Sequence, residues 1–356
     1  MARRFEQAAC ECWFLDVGQG TSNVILLGGG RAIVIDTGPR GSHQTMQLLT
    51  QQYIDTLEAL IISHNDCDHD GNVGQILGQY RKAIKRVFFL QDRPVKKNKM
   101  SRTFAVLRNG AEGDFPDPDA LGTQGGTAKE LFSENGIVLS VLYPDLMANQ
   151  EAQAAGRPNQ TSAVLRLSCD GRRVIFSGDA TVETWEWLAR KFPETKPLPC
   201  DIMTVPHHGG AISKSRAQEI PCQRRLYTNL IKPEFAVISV GSNNQDGHPN
   251  IETIRAIVDG GVKVLCTQMT ERCSADLESI RLSRGVLPVP SRSMAEKSTS
   301  HSGKSRHVAC FGSIVAEISE SHLKISNLSR HKQAMEAFSK SKGFGPLCRL
   351  GNSSSA

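Results

Sequence analysis

The sequence predicts one large α/β unit in which two β-sheets are covered by helices on their outer faces. Three observations predict it. Short apolar runs of strand length recur through the first 265 residues, helical stretches are interleaved with them, and clusters of polar residues follow directly on several of the strands. The length of 356 residues exceeds one average domain but suits such a unit with a tail. With 39% hydrophobic and 22% charged residues, the chain can bury a sizeable core and lies well outside the disordered regime.

Taken in order, the runs at 12–15, 24–27 and 32–35 are separated by Gly18-Gln19-Gly20 and Gly28-Gly29-Gly30 and read as an antiparallel meander. Residues 43–53 have helical composition and spacing, and the apolar strand at 57–62 delivers its C-terminal end to His64. Further strands are expected at 87–90, 137–142, 163–167, 174–176, 202–205, 236–240 and 262–265, with helices at 127–135, 182–192 and 251–258. The stretch 109–124, with Pro116 and Pro118, reads as a long loop of the kind that serves as a lid or an insertion. Pro288 and Pro290 open a Ser-, Lys- and His-rich run of linker composition. The expected organisation is therefore a folded unit at 1–286, a linker at 287–306, and an appendage at 307–340. The appendage comprises a hairpin (308–318 and 322–325) and a short helix (334–339), and 341–356 form a disordered tail.

No run of about 18 apolar residues exists, and Met1-Ala2-Arg3-Arg4 leads into Phe5-Glu6-Gln7 rather than into an apolar segment. A soluble, cytoplasmic protein is expected. The 10 cysteines are irregularly spaced in a long chain, which favours reduced, buried thiols over a disulfide framework. Cys266, Cys273, His307 and Cys310 could close a structural zinc site, but their spacings lack short pairs, and ordinary buried thiols are the alternative. The formal charge of +6 resides in the tail: residues 291–356 hold 10 basic and 4 acidic groups, leaving 32 of each for the rest. Within the neutral part, residues 81–108 form a basic block with Asp92 as its only acid. It is either a solvated loop balanced by the acidic stretch 112–119 or a phosphate-contacting surface, in which case Arg81, Lys82, Lys85, Arg86, Lys96, Lys97 and Lys99 are the contacts.

His64-Asn65-Asp66-Cys67-Asp68-His69 puts two imidazoles and two carboxylates within six residues, directly after a strand. That mixture suits hard and borderline divalent ions. Ser177-Gly178-Asp179, Pro206-His207-His208-Gly209 and Gly247-His248-Pro249 follow later strands in the same way, so one convergent site at a sheet edge is expected.

Together with Asp16-Val17-Gly18-Gln19-Gly20, Asp36-Thr37-Gly38 and Asn159-Gln160-Thr161-Ser162, these motifs resemble the metallo-β-lactamase superfamily and, more narrowly, the soluble hydrolase domain of ComEC-type competence proteins. The resemblance runs from about residue 10 to about residue 265. It implies an αββα sandwich with two divalent metal ions, zinc or manganese. His64 and Asp66 would hold one ion, Asp68, His69 and His207 the other, and Asp179 would bridge them. Asp66 stands where many members have histidine, and Asn159 where a further histidine ligand is usual, which makes the first position harder and favours manganese or a labile zinc. Asp36 and Asn159 are expected as outer partners that orient ligands, and His208 as either such a partner or a packing residue. His248 is implied as a substrate-facing residue, with a plain loop histidine as the alternative. Asp68 and His248 are the expected catalytic residues.

The expected function is a phosphodiesterase or nuclease acting on nucleic acid or a nucleotide through a hydroxide held between the metals. Alternatives are hydrolysis of a small ester, lactone or β-lactam, since fold does not fix substrate, and a nucleic-acid-binding or defence-associated module with secondary activity.

Overall fold

The computed structural model describes residues 9–90, 102–109, 115–123, 127–154, 158–192, 198–213, 215–242, 244–273, 307–319, 322–342 and 348. The linker expected at 287–306, most of the tail expected at 341–356, and Lys96, Lys97 and Lys99 of the basic block lie outside them.

The first sheet begins with the expected meander, β1 (Cys10–Phe14), β2 (Asn23–Gly28) and β3 (Arg31–Ile35), paired antiparallel. Three parallel strands extend it: β4 (Thr56–Ile62), β5 (Val87–Phe89) and the short β6 (Asp119–Ala120). The second sheet holds β7 (Lys129–Glu134), β8 (Ile137–Tyr143), β9 (Val164–Cys169), β10 (Arg172–Phe176), β11 (Ile202–Thr204), β12 (Phe235–Ile238) and β13 (Lys263–Cys266). It is antiparallel from β7 to β10 and parallel from β10 to β13.

Three apolar layers hold the sandwich together. Ile25, Ile33 and Ile61 of the first sheet face Leu139, Leu165 and Val174 of the second, and the rings of Phe14 and Phe176 meet at 6.0 Å between centroids. Alternation along β4 sends Ile61 into this middle layer and Leu60 and Ile62 to the other face, where α1 (Gln44–Gln51) and α2 (Val73–Gln79) cover them with Leu48 and Leu77. On the far side, α5 (Val182–Lys191) and α7 (Ile251–Asp259) cover β10 to β12, with Trp185, Leu188 and Ile257 packed on Ile175, Met203 and Ile238. The remaining helices among the described residues are α3 (Arg102–Arg108), α4 (Leu146–Ala154), α6 (Arg216–Arg225) and α8 (Leu328–Lys342).

Two expectations need correction. Within the stretch 127–135, expected as a helix, residues 129–134 form β7, because Asn135 (φ 49°) and Gly136 (φ 77°) make a tight left-handed turn that folds β7 back onto β8. Asn-Gly between strands is the sequence signature of that hairpin. The C-terminal hairpin, β14 (Ile314–Ile318) and β15 (Leu323–Ile325), forms as expected but is continuous with the first sheet rather than set apart from it. β14 pairs with β1 from Cys10↔Ile318 to Phe14↔Ile314, which satisfies an edge that the meander alone would leave open.

Candidate metal centre

Parallel strands β4, β10, β11 and β12 all point their C-terminal ends at one edge of the sandwich, where the chain must leave the sheet and its side chains are released from packing. The loop after β4 carries His64 to His69, the loop after β10 carries Asp179, and the turn after β11 carries His207 and His208. The loop after β12 carries His248.

Two groups of donors gather there within 4.8 Å of one another: His64, His69 and Asp179, and Asp68, His69 and His208. Asp179 lies between them. Its Oδ1 is 3.2 Å from His69 Nε2 and 3.8 Å from His208 Nε2, and its Oδ2 is 3.6 Å from His64 Nε2. Asp66, half exposed, places Oδ2 3.5 Å from His64 Nε2, and Asp68 Oδ2 is 3.1 Å from His208 Nε2.

The rings are aimed from behind. His69 Nδ1 donates to Asp36 Oδ2 at 2.8 Å, His208 Nδ1 to the Ser239 carbonyl at 2.9 Å, and His207 Nδ1 to the Ala211 carbonyl at 2.8 Å. Each of these acceptors has only lone pairs to offer, so the ring proton is assigned to Nδ1 and the Nε2 lone pair faces the carboxylates. Asp36 is itself fixed, accepting from the Ser63 amide and hydroxyl at 2.7 Å each. Its backbone takes φ 60°, a conformation that aspartate tolerates better than most residues.

Buried at the centre, His64 Nε2, His69 Nε2 and Asp179 Oδ1 have no hydrogen-bond partner. Native interiors rarely leave such atoms unsatisfied, and three in one cluster of imidazole and carboxylate fit a divalent ion. Burial opposes ionisation of Asp179, but the imidazoles of His69, His64 and His208 outweigh it and hold the carboxyl well below its usual range. The Asp68 carboxyl is likewise lowered against burial, by the adjoining His208 and His69 imidazoles. Both are anionic and ready for a cation.

The structure separates the two adjacent histidines differently from the sequence expectation. His208, read as an outer partner or packing residue, is 3% exposed and joins a donor group, whereas His207 is 32% exposed with Nε2 3.8 Å from Asp179 Oδ2 and belongs to neither. Both residues take left-handed backbone (φ 53°), so the turn swings successive rings in directions that no regular periodicity would reveal. Gly209 allows it: a Cβ there would sit 2.6 Å from Pro249 Cβ.

Sequence reasoning missed Ser63, Ser162 and Gln19. Ser162 Oγ accepts from the Asp179 amide at 2.8 Å and lies 3.3 Å from His64 Nδ1, while Ser63 Oγ lies 3.1 Å from the same nitrogen. Asn159 contributes its carbonyl to the Ser162 amide at 3.2 Å, so the part of its motif that reaches the histidine is the serine. The quoted motif already contained that serine as its fourth position, without a role assigned to it. His248 is 9% exposed, stands 5.1 Å from the His207 ring, and is stacked 6.4 Å from His208. Burial, then the neighbouring His207 and His208, push it down to about 4, so it is a neutral imidazole near pH 7. Gln19 bonds the Gly241 amide through Oε1 and points Nε2 at His248 Nδ1, 3.5 Å away. An amide nitrogen only donates, so the His248 proton is assigned to Nε2.

In the basic block, Arg81 and Lys82 are exposed on the 3-10 turn Arg81–Ala83 that follows α2. Lys85 and Arg86 are committed elsewhere: Lys85 Nζ is 2.8 Å from Glu58, and Arg86 pairs with Asp119 at 2.9 Å while covering the Phe88 ring. None of the described helices is long and apolar enough to cross a membrane.

The model of the metallo-beta-lactamase superfamily matches residues 16–217. Competence protein ComA of Neisseria gonorrhoeae is 25% identical over 267 residues, covering 74% of this chain and 31% of its own length. ComE operon protein 3 of Bacillus subtilis is 27% identical over 273 residues, covering 71% and 31%. Recombination protein 2 of Haemophilus influenzae is 26% identical over 263 residues, covering 71% and 27%. The chain thus spans about a third or less of the length of the curated relatives it matches.

Proposed function

The chain belongs to the metallo-β-lactamase superfamily of metal-dependent hydrolases, and from that premise we propose that it is a binuclear phosphodiesterase or nuclease acting on nucleic acid or a nucleotide. The observation that carries this reading is the convergence of buried, unpartnered His64 Nε2, His69 Nε2 and Asp179 Oδ1 on carboxylates from two loops. His64, Asp66 and Asp179 would hold one ion; Asp68, His69 and His208, with Asp179 shared, would hold the other. Two divalent ions, zinc or manganese, supply a nucleophile at neutral pH and offset charge on a phosphoryl group.

The chain's own residues do the rest. Asp36, Ser239 and Ser162 keep the donors aimed, so no reorganisation is needed when substrate arrives. His248, a neutral imidazole whose proton the Gln19 amide assigns to Nε2, would offer that N–H as a hydrogen bond to a departing oxygen. Relatives named for competence and recombination support nucleic acid as the polymer. Lys82 offers charge beyond α2 for a phosphate backbone.

The test is hydrolysis of bis(p-nitrophenyl) phosphate and of single- and double-stranded DNA and RNA, with manganese or zinc, by the wild type and Asp68→Ala. Metal-dependent turnover that Asp68→Ala removes is the expected result. Turnover confined to carboxylic esters or lactams would move the assignment to carbonyl hydrolysis.

A further inference from the structure

The chain between β12 and α7 is irregular, yet it sets the His248 ring beside His207 and His208. In such a segment each backbone polar group needs a partner that no ladder supplies. Asn244 supplies several at once. Its Oδ1 accepts from the His248 amide at 2.7 Å, and its Nδ2 donates to the His248 carbonyl at 3.1 Å and to the Gly241 carbonyl at 2.7 Å. One side chain thus bonds both backbone polar groups of His248 and ties them to the opposite end of the loop.

That end is docked on the turn that follows β1. A Cβ on Gly241 would stand 2.6 Å from the Gln19 amide nitrogen, and the Gly241 amide donates to Gln19 Oε1 at 3.2 Å. Gln19 then reaches toward His248 Nδ1 with Nε2, which closes a circuit through Gln19, Gly241, Asn244 and His248. Asp16, at the head of the same motif, accepts from Gln268 Nε2, while Gln268 Oε1 takes the Ser242 amide at 2.8 Å. On its other side the ring rests on the histidine turn. A Cβ on Gly210 would run into His248 Nε2, and the Asn250 amide donates to the Gly209 carbonyl at 2.8 Å. Both flanks of the loop are held, and Asn244 is the link inside it that runs to His248.

We propose that Asn244 is a positioning residue that holds His248 beside the metal centre, so that its Nε2–H meets the departing oxygen. That role for the N–H rests on the phosphodiesterase reading, whereas the placement of the ring by Asn244 stands apart from it. A side chain that bonded only its own turn would serve folding alone. Bonds to both polar groups of the residue whose ring stands at the site carry its effect to the chemistry. The departing oxygen gives this effect a signature. A hydrogen bond to it counts most when it leaves with most charge, as a nucleoside alkoxide does, and least for p-nitrophenolate.

The experiment compares the full chain with Asn244→Ala, His248→Ala and the double variant, with manganese, on a dinucleotide and on bis(p-nitrophenyl) phosphate. Asn244 is half-buried, so its truncation opens no cavity in the core. Asn244→Ala is expected to lose on the order of tenfold in kcat on the dinucleotide, less than about twofold on the aryl diester, and nothing further once His248 is alanine. Equal losses on the two substrates, or an undiminished loss in the His248→Ala background, would overturn the proposal. A second readout needs no substrate: nitrogen NMR of isotopically labelled histidine, with the His248 ring signals identified by their absence from His248→Ala. The wild type should show one Nε2-protonated tautomer and Asn244→Ala a broadened or mixed one, and unchanged ring signals would overturn the proposal whatever happens to turnover. Asn244→Asp keeps the acceptor for the His248 amide and loses both donated bonds; it stands in where the alanine variant does not fold, with the same directions expected. A wild type that hydrolyses neither diester overturns the phosphodiesterase reading alone, and the ring signals then decide the placement by themselves.

Discussion

Two groups of metal-ligating side chains are built in opposite ways. At the sheet edges His69, His208 and His207 are held from behind by Asp36, Ser239 and Ala211, His64 lies against Ser63 and Ser162, and Asp179 is gripped at its amide by Ser162, so the geometry exists before any ligand arrives. Beside β13, Cys266, Cys273, Cys310 and Cys348 line a cavity together with apolar side chains such as Val262, Leu265 and Met335, and no three of the thiols lie within 4.8 Å of one another. The first arrangement suits chemistry, which needs donors fixed to within a fraction of an ångström; the second has no such convergence of donors. Hard and soft donors divide along the same line, carboxylate and imidazole at the first site and thiol at the second.

The comparison breaks most sharply at Asp179. Asp179→Ala should lower metal-dependent phosphodiester hydrolysis by on the order of 10³-fold, while urea midpoints and far-ultraviolet circular dichroism stay close to wild type. A loss under tenfold would mean that the carboxylate between the two donor groups is not shared by the metals. Next in size is the contrast between neighbours. His208→Ala should cost roughly 10- to 100-fold in metal affinity and turnover and His207→Ala clearly less, because only His208 lies in a donor group. Titration with a fluorescent zinc chelator reads the order directly, and the reverse ranking would restore the ligand set implied by the sequence resemblance.

A smaller effect sits between the two regions. Asp16, completely buried, accepts from Gln268 Nε2 at 2.7 Å, and Gln268 directly precedes Met269, which lines the cavity beside β13. Burial pushes the Asp16 carboxyl up to about 7, only partly offset by the Gln268 hydrogen bond. The folded chain therefore holds a proton there that the unfolded chain releases near pH 4, and the stability associated with it is lost as pH rises from about 4 to 7. Asp16→Asn should remove that slope, gaining roughly 2 kcal/mol or more over wild type at pH 8 relative to pH 4. Denaturant midpoints at the two pH values test it, and parallel curves for the two proteins would refute the buried-acid reading. The smallest effect expected is on the exposed turn after α2. Lys82→Ala should weaken binding of single-stranded DNA evenly across sequences and reduce the salt slope by about one. Lys85→Ala, whose ammonium is taken by Glu58, should change binding little. Equal effects of the two would show that the Glu58 pair opens to meet the polymer.

Much of the fold was legible because strand periodicity survives where apolar residues must face two packed layers. β4 and β10 to β12 stood out as apolar runs ending in polar clusters, and those clusters gave the site. β7 was misread because Lys129, Glu130, Phe132 and Glu134 on an outer strand carry no clean alternation, although Asn135-Gly136 marked the hairpin. Helices α2, α3, α4 and α6 went unrecognised: α2 and α3 are short, α2 contains Gly74 and Gly78, and Pro221 interrupts the pattern of α6.

The sequence by itself determined which chemistry is available. Imidazoles and carboxylates spaced within six residues after a strand have few other uses, and the order of the later motifs names the superfamily. Only the tertiary structure decided which atom of each motif reaches the centre. Left-handed backbone at His207 and His208 separates two residues that are adjacent and identical in the sequence, and Ser162 rather than Asn159 meets His64 because the 3-10 turn Pro158–Thr161 ends there. It also brought Cys348 to Cys266 across 82 residues, a proximity that no spacing rule contains, because it depends on where α8 docks and not on anything local to either cysteine.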